Sequence, residues 1–175
     1  MHPRGAPVRT VIGVMGGGVA DAATQALAHE VGTLIAAEGW VLLNGGRDCG
    51  VMAASAAGAS SAGGLVVGIL PDDDFDGVAA AVDIAIPTGM GDARNVINIL
   101  ASHVVLALPG GAGTISEVAH ALKAGRPVVV VGWDPGEALW AAAGTRLVGV
   151  DSAAEAIAAA KRFLGDPYTR TRVTH

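Results

Sequence analysis

Two ionisable side chains stand where glycine-rich segments interrupt the chain: Arg94 closes "GMGDAR" and Glu117 closes "PGGAGTISE". A guanidinium presents a planar fork of donors that fits two oxygens of a phosphate. Glu117 has two readings. Thr114-Ile115-Ser116-Glu117 fits the T-x-x-E capping box, in which the carboxylate bonds back to the cap's own N–H. Near a helix N-terminus the same carboxylate is expected to stay ionised, able to stabilise a developing positive charge or orient water.

The glycine segments are the second half of that chemistry. Gly16 and Gly17 lie in "MGGG", and "NGGRDCG" supplies Gly45, Gly46 and Arg47. "PTGMGDARN" carries Arg94, and "PGGAGT" carries Gly110, Gly111, Gly113 and Thr114. Glycine lets a ligand approach the main chain, and a helix start behind it offers free N–H groups and a dipole to an anion. These residues are the candidate phosphate or nucleotide ligands. Arg47 is a second cationic candidate, and Thr114 offers a hydroxyl or serves as N-cap. A tight strand-to-helix turn alone would explain one or two of the glycines.

The elements that must position these residues alternate along the chain. Candidate strands are 8–15, 40–44, 65–70, 82–86, 103–108, 127–131 and 147–150, and candidate helices are 21–38, 50–62, 92–102, 115–124 and 152–164. Such alternation indicates βαβ units and a parallel sheet covered on both faces. The expected fold is a three-layer α/β/α Rossmann-like domain with a mostly parallel sheet of about seven strands. The 175 residues suit one domain, with 1–7 as a flexible tail. In such sheets the ligand lies beyond the carboxyl ends of the strands, where all four glycine segments fall.

Several chemistries are excluded. Gly16-Gly17-Gly18 lacks the G-x-G-x-x-G spacing, and the second strand ends in Asn44 rather than an acid, so a standard NAD site is not expected. No P-loop pattern is present. The two lysines, Lys123 and Lys161, sit well along helices, which leaves Schiff-base chemistry without a candidate. The histidines (His2, His29, His103, His120, His175) show no ligand spacing, and Asp72, Asp73, Asp74 and Asp76 read as a solvated loop, so no metal site is expected. Trp133 ends a strand at the ligand edge, where it flanks a base or, as the better reading, packs. Arg126 precedes a strand and belongs to the opposite edge. Net charge −5 without a basic run argues against nucleic acid, and glycines and serines interrupt the uncharged run 51–70, so no membrane span is expected. Cys49 is alone and residues 1–10 lack a signal-peptide core, so a cytoplasmic location is expected.

"NGGRDCGVMAA", "GMGDARN" and "LPGGAGTISE" together resemble the LONELY GUY and molybdenum-cofactor-carrier superfamily, some members of which bear the label "possible lysine decarboxylase". The resemblance runs from about Val11 to Trp133 and implies a Rossmann-like homodimer that binds a nucleotide-like phosphate. Its cytokinin-activating members hydrolyse the N-glycosidic bond of a nucleoside 5′-monophosphate, releasing base and ribose 5-phosphate. Their PGGxGTxxE motif falls on Pro109, Gly110, Gly111, Gly113, Thr114 and Glu117. The arginine of their Met-x-x-Arg-Lys motif best matches Arg94, one residue further from Met90, and the lysine position holds Asn95. The resemblance thus implies Arg94 and Glu117 as catalytic residues of a phosphoribohydrolase. The "GDARN" form is closer to the carrier-like branch, which implies the alternative: a non-catalytic protein holding molybdenum cofactor, a phosphorylated pterin, as cargo. A nucleotide-binding protein without chemistry is a third reading. No resident cofactor is required by any of them, and the lysine count gives the decarboxylase label no support. A homodimer is also suggested by 94–102, where Val96, Ile97, Ile99 and Leu100 spread round the helix.

Overall fold

The computed structural model describes residues 8–165. The tail expected over 1–7 lies outside them. Seven parallel strands form one sheet: β1 (Val11–Met15), β2 (Val41–Asn44), β3 (Val66–Leu70), β4 (Ile84–Pro87), β5 (Val104–Ala107), β6 (Val128–Val131) and β7 (Leu147–Val150). Their order is β4-β3-β2-β1-β5-β6-β7, so the winding reverses between β1 and β5. There Val14 pairs with Leu106 and Met15 with Ala107. A crevice opens beyond the carboxyl ends of these two strands, as the reversal of winding requires.

Both faces are covered. Helices α1 (Ala22–Ala37), α2 (Gly50–Ser61) and α6 (Ala153–Gly165) pack one side; α3 (Asn95–Ala101), α4 (Ala112–Lys123) and α5 (Glu137–Ala143) pack the other. The central strands read as unbroken apolar runs because they are buried on both sides; Val128 to Val131 are fully buried. The fold is the three-layer Rossmann-like one. Helix α5 was not expected; its seven residues follow Gly136, whose φ of 98° suits glycine.

Alanine and glycine let the layers approach closely. A β-carbon on Gly32 of α1 would lie 2.0 Å from the Ser55 carbonyl oxygen of α2, and one on Gly58 of α2 would lie 2.0 Å from the His29 carbonyl oxygen. The two helices therefore meet backbone to backbone. On the other face, a β-carbon on Gly13 of β1 would fall 2.2 Å from the Ser102 hydroxyl, which donates to the Asn98 carbonyl at 2.7 Å. This seats the end of α3 directly on the central strand.

Candidate functional site

Two loops meet over the β1/β5 crevice. The Gly17 N–H donates to the Pro109 carbonyl at 3.0 Å, and the Val51 N–H donates to the Gly17 carbonyl at 3.0 Å. The glycines here are interlocked: a β-carbon on Gly110 would lie 2.1 Å from Thr114 Oγ1 and 2.8 Å from the Gly17 nitrogen. One on Gly16 would meet Val51 at 2.7 Å. At the end of β2, fully buried Asn44 accepts from the Gly46 N–H at 2.8 Å and donates to the Met52 carbonyl at 2.9 Å. That amide fixes the "NGGRDCG" loop against the start of α2.

Between the loops lies a half-open cleft of about 200 Å³, walled by Gly16, Gly17, Gly45, Gly111, Gly113, Thr114, Arg94 and Glu117, with Met52, Asp92 and Asn95. Eight of the eleven residues singled out from sequence thus share one cleft. Gly46, Arg47 and Gly110 do not line it. Gly46 takes a φ of 74° with Leu70 and Gly68 behind it, so its glycine answers to the turn. Arg47 pairs with Asp72, and its other terminal nitrogen approaches the Asp76 carbonyl at 3.5 Å. The chain of 72–79 is thereby strapped to the loop after β2, with Ala79 N–H donating to the Gly46 carbonyl at 2.9 Å.

Gly111 and Gly113 differ from the other glycines of the cleft. A β-carbon on either would meet nothing within 4 Å, and neither has a positive φ. Neither packing nor conformation requires glycine there; both face space. They form the start of α4, whose N-cap, Gly111, makes no side-chain hydrogen bond. The first N–H groups of α4 are therefore offered to the cleft.

The helix begins earlier than the sequence suggested. Thr114 is already the third residue of α4 and Glu117 lies in its second turn, so neither forms the expected capping box. Instead Glu117 points inward and is 7% exposed. Burial pushes its carboxyl up to about 7, against the pull of Arg94 across the cleft and of the neighbouring Asn98 amide, with a small further push from Asp92. Desolvation outweighs the pull of the guanidinium, so near neutral pH this carboxyl is not held fully ionised as the helix start alone had suggested. Arg94 is itself lowered by desolvation, which Glu117, Asp92 and Asp72 counter and Arg47 reinforces.

Arg94 sits at the end of a short 3₁₀ turn, Gly91–Arg94, that leads into α3. Hydrogen bonds hang the preceding loop on the end of β3: the Gly89 and Gly91 N–H groups donate to the Asp72 and Pro71 carbonyls at 2.9 Å. Its Nε is buried without a hydrogen-bond partner, and the fully buried Asn98 amide faces the Glu117 carboxyl. Buried polar atoms without a partner are costly; Arg94 Nε is one beside this cleft, and Arg126 Nε is another, away from it. Asn98, Asp92 and Met52 were not singled out from sequence. Asn98 had a signal, a lone amide inside "VINIL"; Met52 had none. Trp133 packs against the core on the α3, α4 and α5 side of the sheet and donates to the Ala107 carbonyl at 2.8 Å, and Arg126 donates to the Leu100 carbonyl at 2.7 Å at the opposite edge. Among the described residues no cluster of His, Cys, Asp or Glu could hold a metal ion, and no helix is long and apolar enough to cross a membrane.

The sequence pattern of the SLOG cluster4 family matches residues 9–158. The chain belongs to the SLOG cluster4 family. Its fold is similar to that of the molybdenum cofactor binding protein from the phototrophic bacterium Rippkaea orientalis, with a TM-score of 0.88 and 43% identity over 91% of this chain and 99% of that one. It is likewise similar to the Moco carrier protein of Chlamydomonas reinhardtii, with a TM-score of 0.84 and 42% identity over 90% and 98% of the two chains. A Mycobacterium tuberculosis cytokinin riboside 5′-monophosphate phosphoribohydrolase is 32% identical over 120 residues, 60% of each chain. This SLOG cluster4 chain is thus a member of the LONELY GUY and molybdenum-cofactor-carrier superfamily that its glycine motifs resemble.

Proposed function

We propose that this protein binds a phosphorylated small molecule in the β1/β5 cleft and carries it without cleaving it, the ligand being molybdenum cofactor. The observation that carries the binding site is the pair Gly111 and Gly113, open to space at the uncapped start of α4, in the cleft that also holds Arg94. Backbone N–H groups and a guanidinium together make a phosphate site. Asp92 and Asn95 add an acceptor and an amide for the N–H and C=O groups of a pterin ring. Likeness to cofactor-binding structures over nine-tenths of the chain supports a carrier. A carboxyl that burial raises to about 7 is only partly ionised at neutral pH and, with Asn95 in place of a lysine, gives a cationic transition state weaker electrostatic help than a fully ionised Glu117 would.

One observation favours the second reading, hydrolysis of a nucleoside 5′-monophosphate: Arg94 and Glu117, the pair that the hydrolase resemblance implies, do line one cleft. In that reaction Arg94 holds the phosphate side and ionised Glu117 faces the ribosyl carbon. The two readings separate in one experiment. The protein is incubated with molybdenum cofactor, freed of unbound ligand and analysed for molybdenum, while a parallel sample is incubated with AMP and analysed for free adenine. Stoichiometric molybdenum without adenine supports the carrier; adenine with ribose 5-phosphate replaces it with the hydrolase. Neither result overturns both.

We also infer a homodimer. Val96 and Leu100 of α3 are 41% and 53% exposed, beside a groove of about 350 Å³ that Ile99, His120, Lys123 and Ala124 complete. Exposed apolar side chains gathered beside a groove suit an interface with a second copy of the chain. Light scattering at micromolar concentration reads the mass, and a monomer refutes it. Exposed, unpaired Cys49 suits the reducing cytoplasm in which we place the protein.

A further inference from the structure

Gly45 lines the cleft, but the space above it is taken. A β-carbon there would lie 2.7 and 2.8 Å from the two terminal nitrogens of Arg94 and 2.6 Å from the Met52 sulfur. Its φ is not positive, so the turn does not demand glycine. A ligand has no access to this part of the backbone, because the guanidinium already lies against it. Gly45 therefore differs in kind from Gly111 and Gly113, where a β-carbon would meet empty space.

We propose that Gly45 is a positioning residue: its missing side chain is the seat on which the Arg94 guanidinium rests, and it serves the bound anion only through Arg94. Among the described residues Arg94 has no other firm hold at that end: its Nε lacks a hydrogen-bond partner and its guanidinium is in no ion pair within 4 Å. The loop before it is pinned by backbone bonds to Pro71 and Asp72. The backbone thus delivers the side chain, and Gly45 decides where its charged end lies. The proposal rests on the phosphate-binding reading only in its affinity arm.

Gly45→Ala is expected to fold, because the atoms its methyl meets belong to two flexible side chains, and both terminal nitrogens of Arg94 lie too close to it to stay in place. The test is a cycle of wild type, Gly45→Ala, Arg94→Ala and the double variant, read two ways. The first readout needs no ligand: the carboxyl of Glu117 is titrated by carbon-13 NMR, since Arg94 is the charge that holds it down. Gly45→Ala should move that titration in the wild-type background and leave it unmoved in the Arg94→Ala background. The second readout is AMP affinity, expected to fall about 10- to 100-fold in both single variants, the range for losing a charged hydrogen bond, with no further loss in the double. An unmoved Glu117 titration in Gly45→Ala, or losses that add in the double variant, overturns the proposal. If wild type fails to bind AMP, the phosphate-binding reading is at fault and the titration still decides Gly45. If Gly45→Ala fails to fold, a crystal of wild type with phosphate decides instead. The guanidinium resting on Gly45 supports the seat; a phosphate oxygen there, with Arg94 swung away, overturns it.

Discussion

Replacing Glu117 by glutamine isolates the energetic consequence of burying this carboxyl. In the unfolded chain the group titrates near its ordinary 4.5, and in the folded protein near 7. Folding then favours the protonated form. Below pH 4.5 both states carry the proton, and the group costs nothing. As pH rises from 4.5 through 7, the unfolded chain releases its proton first, and the folded state falls behind. Above the folded pKa the deficit is full, about 3 kcal/mol at 1.36 kcal/mol per pH unit. Glutamine has the same shape and can meet Asn98, but has no charge to desolvate. Glu117→Gln should therefore match wild type near pH 4.5 and exceed it by about 3 kcal/mol at pH 8, or ~6–12 °C in Tm for a chain of this size. Thermal melts of both proteins in matched buffers from pH 4.5 to 8.5 read the difference, in which every other titrating group cancels. A flat difference, or one that grows toward low pH, would refute the burial argument and return Glu117 to an ionised, solvated state.

Glu117→Gln should also leave AMP binding nearly intact, and any adenine release should fall ~100-fold if the carboxylate is catalytic; a rapid-quench or chromatographic assay of base checks this. Gly113→Ala should bind AMP more weakly while melting as high as wild type or slightly higher, because its methyl enters open space and alanine favours a helix by about 1 kcal/mol. Gly17→Ala should instead lose ~1–3 kcal/mol of stability in urea titration, since its methyl would sit 2.7 Å from the Val19 carbonyl oxygen. Arg47→Ala should cost no more than about 1 kcal/mol, as its ion pair with Asp72 is partly exposed, and calorimetry should find AMP affinity little changed.

The layer architecture was legible because buried parallel strands write themselves as apolar runs, as in "VVVV" of β6. The edge strand was less so. Residue 82 was expected to open β4, but Asp83 spends its side chain accepting from the Val66 N–H at 2.8 Å, and pairing starts at Ile84. At α4 the glycines misled: Gly113 and Thr114 carry loop chemistry in sequence yet lie inside the helix, which starts at Ala112 behind an N-cap that is itself glycine. Arg47 read as a phosphate partner because cation and glycines adjoin; only the fold brings Asp72 across to claim it. Spacing reveals which residues reach one sheet edge, whereas burial, which sets the state of Glu117, depends on long-range packing against Asn98 and Arg94.

The contact between α1 and α2 has a mechanical consequence. With Gly32 and Gly58 bringing main chain against main chain, the pair cannot shear or tilt separately without collision. Each helix hangs from a cleft loop, α1 from the one after β1 and α2 from the one after β2. Half of the rim is therefore a fixed jamb. The facing rim is built by the 3₁₀ turn and seven-residue α3 that carry Arg94 and by the start of α4. On the jamb side a guest meets backbone that cannot give way, so selection by shape there is steric.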